Sequence, residues 1–217
     1  MIVRFALAAA LIATPALAAP ARKAPPPKPY VAPPLHDIER VAITTELGVI
    51  TLDLEGKRAP ISTANFLHYV DTKRFDGMTF YRSMHLPWGD QPNGLVQAGV
   101  RGHPLKVYPP VAHEPTSQTG VLHKAGTISL ARLAPGTATG DFSIMLADLD
   151  GLDAKPDSTD PEAQAGYAAF GHVVEGMDVV RKIWDQPIDP DKGEGFMKGQ
   201  MIAQPVKVLT VRRAVTP

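Results

Sequence analysis

Residues able to do chemistry are thinly spread along this chain of 217 residues, and few of them stand in a pattern that a reaction needs. His113-Glu114 and His123 lack a His-x-x-x-His spacing or a clear third ligand, so loop polarity accounts for them and no metal is expected. A metal-dependent hydrolase built on His113, Glu114 and Asp148 would declare itself by stoichiometric metal in the purified protein. Asp148-Leu-Asp150-Gly-Leu-Asp153 has the acidic spacing of a calcium loop, but its glycine is misplaced for the turn and the closing glutamate is absent. The segment that stands out is Phe80-Tyr81-Arg82, followed after an irregular loop by Gly94-Leu95-Val96-Gln97-Ala98-Gly99. Arg82 offers an always-protonated planar fork of hydrogen-bond donors. Taken alone, an arginine at a strand end is more commonly a surface residue, and a strand glutamine such as Gln97 commonly faces outward.

The elements that must position these groups can be read from periodicity. Val41–Glu46 and Val49–Leu54 alternate in polarity and are β-branched, with Leu47-Gly48 between them, which predicts a hairpin. From Pro60 to Thr72 the period becomes helical: Ile61, Ala64, Phe66, Leu67 and Val70 share a face. A second helix is expected over Met177–Trp184, with Val179, Val180 and Ile183 apolar. Short strands are expected at 78–82, 95–98, 127–131, 142–146, 169–174 and 206–212, punctuated by glycine and proline. Many short strands with only two helices predict a mainly β domain, a closed or sandwiched antiparallel sheet capped by helices.

The ends read differently. Residues 1–18 have an early Arg4, an apolar run from Phe5 to Ile12 and a small-residue site at Ala16-Leu17-Ala18, the three parts of a cleaved signal peptide. The run is too short to span a bilayer comfortably, so no stable membrane insertion is expected. Residues 19–35 (APARKAPPPKPYVAPPL) form a proline-rich linker expected to be extended. The folded domain is assigned to residues 36–217. Lys plus Arg and Asp plus Glu both total 22, so nothing suggests a nucleic-acid partner. There are no cysteines, so the domain folds on its hydrophobic core without disulfides.

Taken in order, the motifs resemble the cyclophilin family. Phe80-Tyr81-Arg82 is similar to that family's F-H-R strand end and Gly94–Gly99 to its F-M-x-Q-G-G segment. Gly126–Arg132 is similar to its G-T-x-x-M-A-(N/R) strand, Gly140–Ile144 to S-Q-F-F-I, and Gly166–Val180 to the V-F-G-x-V-x-x-G-M-x-V-V block. The resemblance runs from about Val41 to Val211 and is nearest to bacterial exported members. It implies a closed antiparallel β-barrel capped by two α-helices and a peptidyl-prolyl cis–trans isomerase needing no cofactor. The implied partners are proline-containing polypeptides, met by a monomer in the periplasm of a Gram-negative cell.

The resemblance assigns catalysis to Arg82, with Gln97 orienting the substrate carbonyl. It assigns substrate binding to Phe80, Leu95, Ala131, Arg132, Phe142, Ser143, Leu152 and Tyr167. The connection from Arg82 to Gln97 is longer than the family's, with extra residues between Ser83 and Asn93 that include Leu86, Pro87 and Trp88. Gly94, Ser143 and Gly151 fall where the family carries aromatics. These departures imply an emptier pocket and reduced activity, with Trp88 folding back to replace one wall. They leave a second reading open, a catalytically weak module that holds extended or unfolded peptide.

Overall fold

The computed structural model describes residues 30–101 and 103–215. Residues 1–18, read above as a signal peptide, and most of the proline-rich stretch lie outside the described residues. The hairpin forms as the alternation requires: β1 (Glu39–Thr45) pairs antiparallel with β2 (Gly48–Leu54), and Val41, Ile43, Ile50, Leu52 and Leu54 point into the core. The chain continues through α1 (Pro60–Asp71), β3 (Thr79–His85), β4 (Gly94–Gly99), α2 (Thr116–Thr119), β5 (Thr127–Leu130) and β6 (Phe142–Met145). It ends through α3 (Pro161–Ala165), β7 (Ala168–Glu175), α4 (Met177–Trp184), β8 (Ile188–Asp189) and β9 (Met201–Arg213), with 3₁₀ turns at Asp150–Leu152 and Gly195–Met197.

The strands lie in the order β1-β2-β7-β5-β6-β4-β3-β9, and β9 pairs back onto β1. Eight antiparallel strands thus close into a barrel without a free edge, as expected, and β8 hangs on β9 outside the ring. Among the described residues there are two short helices, α2 and α3, beyond the two expected. Each has five residues or fewer, too few for a helical period to show.

The barrel is filled by side chains. Phe66 from α1 meets Phe75, Phe142 and Phe170 at ring-centroid distances of 4.9, 5.2 and 5.6 Å, joining helix to barrel floor. Ile61 does not share the buried face of α1: it is 37% exposed, and Tyr69 takes part in the core instead. Ile61 lies in the first turn, where Ser62 and Thr63 are the buried residues. Starting on Pro60, α1 has no cap from its own N-cap residue Ala59. The Glu114 carboxylate arrives from elsewhere and accepts from the N–H groups of Ile61 (3.2 Å) and Ser62 (2.9 Å). It satisfies two donors that a helix start leaves orphaned, and its charge suits the positive end of the helix. Loop polarity was therefore the wrong account of Glu114, which is 1% exposed and part of the scaffold.

Candidate active site

Strand β3 carries the irregularity that makes the site. Phe80 pairs with Ala98 and Arg82 with Gln97, so two consecutive residues of β4 face three of β3, and Tyr81 is the extra one. A bulge of this kind resets the inside–outside alternation. Phe80 points into the barrel at 0% exposure, whereas Tyr81, Arg82 and Met84 line a cavity on the outer wall. From Arg82 a row of outward residues crosses the wall: Arg82 opposite Gln97, Gln97 opposite Ser143, and Ser143 opposite Ser129.

The cavity measures about 470 Å³. Of the sequence-derived candidates, Arg82, Gln97, Leu95, Ala131, Arg132, Ser143, Leu152 and Tyr167 all line it. Phe80 and Phe142 do not, and their assignment to substrate binding is corrected: both are core residues at 0% exposure. For Phe142 the reason is the pleat, because Ser143 is its neighbour on β6 and only one of the two can face outward. For Phe80 it is the bulge. Trp88 does not fold back over the cavity. It is 63% exposed, and its loop closes on itself through Asn93 Nδ2 to the Trp88 carbonyl (2.6 Å) and Leu86 N to the Asn93 carbonyl (2.8 Å). Gly94 admits no aromatic: its φ is +143°, and a Cβ there would lie 1.8 Å from the Met84 carbonyl oxygen.

Arg82 is 8% exposed, and among the described residues it makes no ion pair. Neutral amides hold it. Nη1 donates to Gln97 Oε1 at 2.8 Å, and Nε and Nη2 donate to Gln200 Oε1 at 2.9 and 2.6 Å. Burial draws its pKa downward, but a guanidinium remains charged at any working pH. A buried cation without a counter-charge is costly to keep, and such groups concentrate where function needs them. Because a guanidinium only donates, Gln97 must turn its Oε1 to Arg82, which leaves its Nε2 end for an acceptor in the cavity.

Arg132 shapes the opposite side. Its Nη2 donates to the Gly166 carbonyl at 2.6 Å and its guanidinium lies 4.4 Å over the Tyr167 ring, fixing that ring as a wall. Tyr167 N donates to the Leu152 carbonyl at 2.8 Å, so Leu152 and Tyr167 hold each other in place. The Ala131 N–H is committed to the Asp141 carbonyl at 2.9 Å. Asp141, unremarked in the sequence, accepts from Tyr81 Oη at 3.2 Å and Arg101 N at 2.8 Å, and burial raises its pKa. Two further groups, Phe196 and Met197 from the segment between β8 and β9, also line the cavity.

His123 is likewise not loop polarity. It is 0% exposed and sits beneath the site, its Nδ1 2.7 Å from Asp153 Oδ1 and its Nε2 2.9 Å from Ser129 Oγ. An ionised carboxylate can only accept, so Nδ1 carries the proton and Nε2 accepts from the serine. The order Ser–His–Asp is that of acyl-transfer enzymes, yet Ser129 is 2% exposed and lies mid-strand between β6 and β7. The relay therefore ties the 3₁₀ turn bearing Leu152 to β5. Burial holds the imidazole pKa below the ordinary value of 6.5, with Asp153 opposing. The unfolded chain then binds the proton more readily, so this contribution is intact above about pH 6.5 and is lost as pH falls below it. His68, stacked on Tyr108 and also lowered by burial, adds to the same slope. Urea titrations between pH 7.5 and 5 are expected to show falling stability, and His123→Asn to flatten that slope without abolishing it. An unchanged slope would refute the assignment.

Fold and site together define a closed antiparallel barrel with an arginine-centred cleft on its outer wall. The family model for cyclophilin type peptidyl-prolyl cis-trans isomerase/CLD matches residues 40–212, and the chain belongs to that family of isomerases. Among curated relatives, a peptidyl-prolyl cis-trans isomerase of Acinetobacter baylyi is 34% identical over 176 residues, covering 79% of this chain and 84% of that one. Peptidyl-prolyl cis-trans isomerase A of Dickeya dadantii is 36% identical over 147 residues, covering 66% and 70%. In fold, the chain is similar to a cyclophilin type peptidyl-prolyl cis-trans isomerase of Cryptosporidium parvum, with a TM-score of 0.63 at 16% identity over 83% of this chain and 99% of that one.

Proposed function

We propose that this protein rotates X-Pro bonds in exported polypeptides, working as a monomer in the periplasm after its signal peptide is removed, with Arg82 as the catalytic residue. The observation that carries the reading is a buried guanidinium, free of any carboxylate among the described residues, turned into a cavity with apolar walls. The uncatalysed barrier of roughly 18–20 kcal/mol comes from amide resonance. As the bond twists, resonance is lost, the prolyl nitrogen regains its lone pair and the carbonyl becomes more ketone-like. A guanidinium N–H aimed at that nitrogen binds the twisted amide better than either planar form, which is catalysis without a covalent intermediate. Gln97 Nε2 would take the carbonyl oxygen. Leu95, Met145 and Leu152 offer the proline ring an apolar seat. Simple peptide holding would not require an uncompensated cation, so this feature favours rotation over binding alone.

The test has two parts. A protease-coupled assay on a tetrapeptide with a central proline should show acceleration over the thermal rate. Cell fractionation should place the processed chain in the periplasm. A rate equal to the uncatalysed one would end the isomerase reading, and unprocessed protein in the cytoplasm would end the export reading.

A further inference from the structure

The family's aromatics are missing at Gly94, Ser143 and Gly151, and the inserted Trp88 does not replace them. A different segment contributes an aromatic to the cavity. Between β8 and β9 the chain makes a compact loop, held by Gly199 N to the Lys192 carbonyl (2.9 Å) and Met197 N to the Glu194 carbonyl (3.1 Å). Gly193, at φ +93°, allows the loop to fold this tightly: a Cβ there would meet the Met197 carbonyl oxygen at 2.4 Å. The loop is pinned to the catalytic strand by Ser83 N donating to the Gln200 carbonyl at 2.9 Å.

From this loop Gln200 contacts Arg82, and Phe196 and Met197 line the cavity. The Gln200 amide works at both ends: Oε1 accepts from Arg82 Nε and Nη2, while Nε2 donates to the Phe196 carbonyl at 2.9 Å. The Phe196 ring lies 5.4 Å from the Arg82 guanidinium carbon, within cation–π range, and lines the cavity although it is 68% exposed. An exposed aromatic at the mouth of an apolar cleft is surface that an occupant would cover. A guanidinium has five N–H bonds. Three go to the two glutamines and a fourth, on Nη2, faces Met84 Sδ at 3.5 Å, so one Nη1–H is left uncommitted. Gln200 thereby selects which edge of Arg82 can reach a substrate.

We infer that the β8–β9 loop completes this active site: Gln200 is a positioning residue that aims Arg82, and Phe196 is the substrate-facing wall that determines affinity for the residues flanking proline. The inference rests on the isomerase reading for its kinetic part only. Gln200→Met removes the acceptor at similar volume and is expected to lower kcat about tenfold with KM little changed. The Arg82 Nε–H proton, protected in wild type, should then exchange rapidly in NMR spectra, and Gln200→Glu, which keeps an acceptor, should restore its protection. Phe196→Ala should raise KM about fivefold with kcat retained, and Phe196→Tyr should behave as wild type. Peptide binding is followed in parallel by NMR titration of an Ala-Pro tetrapeptide. If wild type is active and both Gln200→Met and Phe196→Ala match it, the inference is overturned and the isomerase reading stands. Where wild type is inactive but Phe196→Ala weakens peptide binding, the isomerase reading fails and the wall assignment holds. A wild type that neither catalyses nor binds overturns both.

Discussion

Arg82→Ala is expected to lower kcat/KM by about 10²- to 10³-fold, the usual cost of removing a preorganised donor from the point where charge develops. Arg82→Lys should recover little of this. A lysine brings a point charge on a flexible stem and cannot engage both Gln97 and Gln200 as the planar fork does. Removing the charge at this position has an unusual forecast for stability. Arg82 is buried without a counter-ion among the described residues, so a volume-matched Arg82→Met removes a desolvation penalty. It also orphans two amide oxygens, but these face a cavity that water can enter. Arg82→Met should therefore melt within about 1 kcal/mol of wild type while its activity collapses. Retention of more than half the wild-type rate by Arg82→Ala would remove the residue from the mechanism.

The second large effect concerns the ring that sequence resemblance placed in the pocket. Phe142→Ala is expected to cost about 3–5 kcal/mol, because Phe142 is fully buried and its neighbours are themselves rings fixed by helix and strand. Phe66, Phe75 and Phe80 surround it at centroid distances of 5.2, 5.8 and 6.2 Å, so the void left behind cannot collapse easily. That is a large part of the roughly 5–15 kcal/mol that holds a domain together. Urea unfolding should show the loss, while KM of the still-folded fraction stays at the wild-type value. A KM raised severalfold at unchanged stability would return Phe142 to the substrate.

Much of this molecule could be read before any coordinates. The β1–β2 hairpin shows in strict alternation, α4 in the spacing of Val179, Val180 and Ile183, and the candidate cleft in five short motifs standing in order. The hairpin and the helix are local signals, in which neighbouring residues share one periodicity, whereas the cleft was legible only through the family resemblance of those motifs. The errors have physical causes too, one local and one long-range. Phe80 and Arg82 are two residues apart, which on an unbroken pleat places them on one face; the extra Tyr81 separates them. Glu114 and His123 look like loop residues because their partners, the start of α1 and Asp153, lie 53 and 30 positions away.

By itself, the sequence determined a mainly β domain with two longer helices, since alternation and helical period are short-range. The closed barrel and the role of its arginine came from the resemblance carried by five motifs in order. What faces that arginine was decided only by tertiary structure. Gln200 lies 118 residues from Arg82 and reaches it because β9 closes the barrel against both β1 and β3. No short-range pattern marks a glutamine or a surface phenylalanine for such a role. Closure supplies it, by bringing the last strand and the loop before it beside a bulge that the third strand had already made.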